Sequence, residues 1–221
     1  MKLVLTLFLS LIVFISPACA SSTYPTASEA KENIKALLSQ YEKDPQNVDI
    51  LRALGVSYHK TGEAGDADAV VKSIEFLEKA AKLKPDDNEI KAWLGSAMSM
   101  RARDVVFWEK MNYSNKGTAL MDAAISAEPD NITIRLIRGS NYLYAPSFLG
   151  KDNIVVSDLE FILKKLQGSD DKELLQDTYY KLGLAYKKVN NTAKAKENFN
   201  LAISIDSGSE MAHRIAKEEL K

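Results

Sequence analysis

The feature that most constrains the fold is a short pattern that returns at intervals along the chain. Its fullest form reads YYKLGLAYKK, at residues 179–188. Tyr179, Leu182 and Tyr186 are three and four residues apart, so they form one apolar stripe on a helix. Gly183 carries no side chain, which allows a second helix to approach this stripe closely. The pattern therefore predicts two helices in close contact.

The residues that follow predict the second helix of the pair. Ala195 and Ala202 are small for the same reason, and Phe199 fills the space between them. Earlier copies read LRALGVSYHK and KAWLGSAMSM, and a weaker copy surrounds Gly139. These copies predict four repeats, at about residues 48–87, 88–131, 132–169 and 176–209.

This recurrence in register resembles the tetratricopeptide-repeat (TPR) family over roughly residues 48–209. The resemblance implies an all-α fold, a right-handed superhelical array of antiparallel helix pairs with about four repeats and irregular insertions. Residues 28–47 and 210–221 are then expected to form capping helices, because the array has to cover its terminal apolar faces. A looser resemblance, carried by ARDVVFWEKMNYSNKG and LIRGSNYLYAPSFLGKD, is to uncharacterised bacterial exported TPR proteins, and it supplies no catalytic residues.

The first twenty residues predict a signal peptide. Lys2 is followed by the apolar run LVLTLFLSLIVFI and then by SPACA, in which Ala18 and Ala20 form the small-residue pair of a cleavage site. We expect cleavage after Ala20, a flexible tether over residues 21–27, and a periplasmic or secreted protein with no membrane span in the mature chain.

Two alternatives for this region stay open. The run can be retained as an uncleaved anchor, or the chain can be a lipoprotein anchored through Cys19, its only cysteine. Ser16 takes the place of the leucine that a lipobox usually carries three positions before its cysteine.

Composition and motifs argue against an enzyme and against a nucleic-acid binder. The chain has 29 basic and 30 acidic residues and a net charge of -1, whereas nucleic-acid binding requires a clearly basic face. No glycine-rich phosphate loop or G-x-S-x-G motif occurs. The two histidines, His59 and His213, are far apart and lack metal-ligand spacing. We therefore expect no enzymatic activity, no cofactor and no metal.

The family resemblance implies a groove lined by the first helix of each repeat. Carried over to this chain, the groove-facing positions give the candidate residues Arg52, His59, Lys60, Leu143, Tyr144, Tyr180, Lys187 and Lys188. The lysine–asparagine clamp of chaperone-binding members is absent. Its asparagine positions hold Val56, Ser96, Ser140 and Leu184. The groove is either an ordinary solvated face or a peptide or protein site centred on Leu143, Tyr144 and Tyr180.

Helical spacing continues past the expected end of the first helix of the second repeat. It predicts one helix from Asn88 to about Met111, roughly 36 Å long by helical rise. Residues 105–113 then overhang the partner helix, either as a hydrophobic latch closed by Phe148 and Leu149 or as a partner-binding patch. The candidate patch residues are Phe107, Trp108, Met111 and Tyr113.

These observations lead to two hypotheses on function. The first is an exported, non-catalytic scaffold that docks a protein or a peptide. The alternative is a small-ligand-binding subunit of an envelope transport or assembly system. A scaffold should have an open groove, and a ligand-binding subunit should have a closed apolar cavity between the groove and residues 105–113.

Overall fold

A computed structural model describes residues 27–209 and 216–220. These residues form nine α-helices and one 3-10 turn, Ser147–Leu149, with no strand in the described part of the chain. The helices are α1 Ala27–Lys43, α2 Val48–Glu63, α3 Ala67–Leu83, α4 Asn88–Arg101, α5 Phe107–Ala127, α6 Ile132–Leu143, α7 Asp152–Lys165, α8 Lys172–Lys188 and α9 Thr192–Ser204. Residues 216–219 are also helical.

Consecutive helices pack in pairs, and the pairs pack side by side. The contacts within pairs join α2 to α3, α4 to α5, α6 to α7 and α8 to α9, while α2, α4, α6 and α8 contact one another in sequence. The predicted all-α array of helix pairs is therefore confirmed. The predicted signal peptide, the tether up to residue 26 and residues 210–215 of the predicted C-terminal helix lie outside the described residues.

Most helices begin at an Asp or Asn whose side chain satisfies the first backbone N–H groups. The residues that cap helices in this way are Asn47, Asp66, Asp87, Asn131, Asp171 and Asn191. Each cap contributes about 1 kcal/mol to helix stability. Because these residues stand in the links between helices, they end one element and start the next at a defined position.

Close contacts at glycines hold the pairs together. A Cβ atom placed on Gly183 would lie 2.5 Å from Phe199 Cε1, so the predicted helix contact of the fourth pair is confirmed. In the second pair, a Cβ on Gly95 would lie 2.6 Å from the backbone oxygen of Gly117. There the two helix backbones cross with no side chain between them.

The predicted helix from Asn88 to Met111 is wrong. α4 ends at Arg101, residues 102–106 form a turn, and the chain reverses before α5 begins at Phe107. A contact with α2 stabilises this turn: Arg103 Nη2 donates to the backbone oxygen of Gly62 at 3.2 Å. Arg103 also pairs with Asp104, its Nε lying 2.9 Å from Oδ1.

The predicted latch is wrong as well. α5 has 21 residues against 14 in α4, and its first turns extend past the end of its partner. Phe107 is 81% exposed and Trp108 is 76% exposed, so neither fills a core. Phe148, the expected closing residue, is 86% exposed. In the described part of the chain nothing covers the first turns of α5, and no residue from Phe107 to Lys116 is buried.

A buried charge cluster joins α6 to α7. Asp158 is fully buried and accepts from Arg135 Nη1 at 2.6 Å and from Arg138 Nε at 2.8 Å. Arg138 also pairs with Asp122 on α5 at 3.0 Å, and the Tyr142 hydroxyl donates to the same carboxylate. The third pair is thus held partly by ionic contacts where the others are held by apolar ones.

Candidate groove between the third and fourth repeats

A pocket of about 370 Å³ opens where the end of α6 meets α8. Its walls are Leu143, Tyr144, Leu184, Lys187 and Lys188. The structure therefore brings together four of the eight groove candidates derived from the sequence. The fifth wall residue is Leu184. In the sequence it appeared only as one of the positions where chaperone-binding members carry an asparagine.

Lys188 builds one wall of the pocket. Its Nζ donates to the backbone oxygens of Leu143 at 2.9 Å and Ala145 at 2.6 Å, which lie at the C-terminal end of α6. Terminal carbonyl groups of a helix lack intrahelical partners, so a cation there stabilises the end. Lys188 also lies 2.9 Å from Asp152 Oδ1. Its charge is used within the protein and is not available to clamp a ligand carboxylate.

Lys187 is the more accessible of the two lysines. Its side chain is 64% exposed and its Nζ lies 2.6 Å from Glu219 Oε2. Glu219 belongs to the short helical stretch 216–219, so the C-terminal part of the chain reaches the mouth of the pocket. An acidic ligand group would have to displace Glu219 from this ion pair.

Tyr144 forms the outer lip of the pocket. It is 75% exposed, whereas its neighbour Leu143 is buried and forms the floor. An exposed tyrosine beside an apolar floor provides a large contact surface at a small entropic cost.

Charges from opposite ends of the array act on one another beside this lip. Lys181 Nζ lies 2.6 Å from Asp177 Oδ2. The pKa of Lys181 is raised: burial lowers it, but Asp177 and the more distant Tyr144 and Glu63 outweigh burial. Glu63 belongs to α2 and Lys181 to α8, so the first pair influences the pKa of a lysine in the fourth pair. Spacing along the chain signals only the ion pair of Asp177 and Lys181, which are four residues apart.

His59, a predicted groove residue, is buried in a polar network instead. Its Nε2 lies 2.9 Å from Ser96 Oγ, and Asn141 Nδ2 donates to the same oxygen at 3.2 Å. Burial lowers the pKa of His59 to about 4. The ring is therefore neutral at physiological pH and serves to join α2, α4 and α6.

The remaining candidates lie away from the pocket. Arg52 pairs with Asp49 at 3.2 Å near the start of α2. Tyr180 packs its ring against Phe199, with centroids 6.0 Å apart. Lys60 pairs with Glu63 at 3.0 Å near the end of α2. The four overhang candidates are on α5 and do not line the pocket.

The described residues contain neither a metal-binding cluster nor a helix suited to cross a membrane. No group of three or more His, Cys, Asp and Glu side chains there could hold a metal ion. None of the helices in the same residues combines the length and apolar character that crossing a bilayer requires.

Comparison with known proteins gives one family match and several structural likenesses. The family profile for the tetratricopeptide repeat matches residues 176–208, which lie within α8, α9 and the segments that follow each of them. No curated protein sequence matches this chain.

The structural likenesses have low sequence identity. TTC0263, a thermophilic TPR protein of Thermus thermophilus, is 15% identical, with 87% of this chain and 91% of that chain covered and a TM-score of 0.68. YrrB, described as a TPR protein with an unusual peptide-binding site, is 16% identical, with 86% and 84% covered and a TM-score of 0.50. A crystal structure of MamA is 21% identical, with 80% and 88% covered and a TM-score of 0.50. At these identities the likeness establishes the fold alone.

Proposed function

We propose that this chain, a tetratricopeptide-repeat solenoid, is an exported, non-catalytic scaffold that binds a peptide or an extended protein segment between its third and fourth repeats. The observation that carries the proposal is the pocket in which a buried leucine, Leu143, lies beside a solvent-exposed tyrosine, Tyr144. Apolar pockets with a few polar groups at the margin are the usual form of a binding site.

The pocket favours an apolar or aromatic side chain over an anionic group. Its volume of about 370 Å³ is at the small end of ligand pockets, which suits one or two side chains of a peptide. Lys188 is bound by backbone oxygens and Asp152, and Lys187 is bound by Glu219. Because the charges of both lysines are compensated within the protein, a ligand is recognised by the apolar surface of Leu143, Tyr144 and Leu184.

A phage-displayed library of random peptides tests this proposal. Peptides selected on the wild-type chain should bind Tyr144→Ala at least about tenfold more weakly, because truncating an aromatic hot spot costs about 2 kcal/mol or more and tenfold corresponds to about 1.4 kcal/mol. Fluorescence polarisation with the selected peptide measures the affinity. The thermal midpoint should not change, since the Tyr144 side chain is mostly exposed.

Phe148→Ala is the matched control, because Phe148 is an equally exposed aromatic residue that does not line the pocket. It should bind the selected peptide as the wild type does. Selected peptides that bind both variants with unchanged affinity would contradict the proposal.

Export follows from the N-terminal sequence and is part of the proposal. We propose cleavage after Ala20, so that the mature chain begins at Ser21. Intact-mass measurement of the protein recovered from an exporting cell decides this. A mass that begins at Cys19 with added acyl chains would replace the soluble form with a lipoprotein.

The alternative function, a small-ligand-binding subunit, requires a closed apolar cavity bordered by residues 105–113. The pocket described above is not bordered by these residues, and its lip is exposed to solvent. The scaffold is therefore the function that the geometry favours.

A further inference from the structure

The C-terminal part of the chain lies beside the end of α8, next to the pocket. Residues 216–219 are helical, Ala216 is fully buried, and Leu220 is partly buried against the core. Glu219 stands three residues after Ala216 and one residue before Leu220, so the three side chains lie on one side of the helical turn. The two apolar contacts therefore hold Glu219 in place, and its side chain is only 24% exposed.

The carboxylate of Glu219 neutralises the accessible lysine of the pocket. Glu219 Oε2 lies 2.6 Å from Lys187 Nζ, and the Lys187 side chain is 64% exposed. The other lysine of the wall, Lys188, is bound by two backbone oxygens and by Asp152. A ligand carboxylate at the mouth of the pocket therefore meets a lysine whose charge is already compensated, with a second carboxylate beside it.

The same carboxylate acts on the face of α8 that leads away from the pocket. Tyr180, Leu184 and Lys187 are four and three residues apart, so they share one face of this helix. The pKa of Tyr180 is raised to about 12, first by burial, then by Tyr144 and then by Glu219. The negative charge of Glu219 thus extends along the surface on which a bound peptide would continue beyond the pocket.

We propose that Glu219 determines the charge specificity of this site. The chain accepts peptides whose apolar anchor, the side chain in the pocket, is flanked by neutral or basic residues, and it discriminates against an acidic residue beside the anchor. A repulsive charge at the margin of a site is a common means of rejecting a ligand. This proposal rests on the proposed function, because it requires that a peptide occupies the pocket.

Removing the Glu219 charge should reverse the preference. In Glu219→Gln, Lys187 becomes a cation without its carboxylate at the margin of an apolar pocket, and an acidic flanking residue can then pair with it. An exposed ion pair contributes little to binding, so the expected change is about threefold to fivefold.

Two versions of one peptide measure this change. The probe is the peptide selected on the wild-type chain, synthesised with either Glu or Gln at the two positions that flank its apolar anchor. Alanine substitutions within the peptide identify the anchor. Fluorescence polarisation gives the ratio of the two affinities. On the wild-type chain the Glu version should bind no better than the Gln version, and on Glu219→Gln the ratio should rise about threefold to fivefold in favour of Glu.

Glu218→Gln is the matched control. It removes the same charge one residue earlier, from an exposed side chain, and leaves the ion pair of Lys187 and Glu219 in place. The ratio should stay close to that of the wild type. Adding Lys187→Gln to Glu219→Gln should also return the ratio to the wild-type value, as should 1 M NaCl, where the Debye length is about 3 Å. The thermal midpoint of each variant establishes that it is folded.

The possible results separate this proposal from the proposed function. A ratio that does not rise on Glu219→Gln, measured with peptides whose binding depends on Tyr144, overturns the charge specificity alone. Glu219→Gln that binds both versions more tightly by the same factor also overturns it, because the C-terminal residues would then act as a cover without regard to charge. Peptides that bind independently of Tyr144 contradict the proposed function and this proposal with it.

Discussion

Asp158→Ala should lower the free energy of unfolding by about 3–5 kcal/mol, the cost of leaving buried charges without their partner. The Asp158 side chain is fully buried and is the carboxylate that Arg135 and Arg138 share, at 2.6 and 2.8 Å. Arg138 retains Asp122, but Arg135 loses its only carboxylate in the described part of the chain. Both guanidinium groups are mostly buried, so water cannot replace the lost contacts. Urea denaturation followed by circular dichroism measures the loss.

Asp130→Ala is the control for this prediction. Asp130 is an exposed acid whose nearest cation, Lys165, is 3.9 Å away. An exposed ion pair of this kind contributes little, so the variant should stay within about 0.5 kcal/mol of the wild type. Equal denaturation midpoints for the two variants would show that the cluster does not hold α6 to α7.

Gly117→Ala should cost about 3 kcal/mol, the upper end of the usual range for overpacking. The added Cβ would lie 2.2 Å from Ser99 Oγ, 2.4 Å from the backbone oxygen of Gly95 and 2.7 Å from the backbone nitrogen of Ser99. Two of these three atoms belong to the backbone of α4, so no side-chain rotation relieves the clash and the helices must separate. The thermal midpoint of Gly117→Ala measures this loss of stability and should be lower than that of the wild type.

Gly139→Ala separates this clash from the general effect of replacing a helical glycine. A Cβ on Gly139 would meet its nearest atom, Asp158 Cβ, at 3.6 Å, which is an ordinary contact. Alanine is favoured over glycine within a helix by about 1 kcal/mol, so this variant should be as stable as the wild type or more stable. If Gly117→Ala and Gly139→Ala have the same thermal midpoint, the backbone contact between α4 and α5 is not as close as described.

The helix pairs themselves were predictable because their causes are local. In α8 and α9, the apolar stripe of Tyr179, Leu182 and Tyr186 and the close approach of a second helix at Gly183 follow from helix geometry and side-chain size. The links are equally local, since Asp and Asn residues in them cap the next helix. A repeated local pattern is sufficient to predict a repeated fold, because each pair contacts mainly its neighbours.

The third pair was hard to detect for a physical reason. Its helices meet through Asp158, Arg135 and Arg138, so charged residues stand where the pattern expects apolar ones. Whether such residues are buried together depends on their positions in space, and the spacing along the chain does not reveal it.

The end of α4 was even harder to predict from the sequence than the third pair. Residues 101–106 contain no proline or glycine, and local spacing allows the helix to continue. Just after the helix ends, Arg103 binds the backbone oxygen of Gly62, a residue 41 positions earlier in the chain. α5 begins directly after this turn, and its first residues, Phe107 and Trp108, are exposed.

The candidate site, too, was predictable from the sequence only in part. Groove-facing positions carried over from the family resemblance included four of the pocket residues, among them Tyr144 and Lys188. Only the folded chain shows that Lys188 is bound to the end of α6 and that Lys187 is bound to Glu219. Helix periodicity is local, so the sequence determined which residues share one face of a helix. The tertiary structure decided which of them are available, because charge compensation depends on residues that meet only after folding.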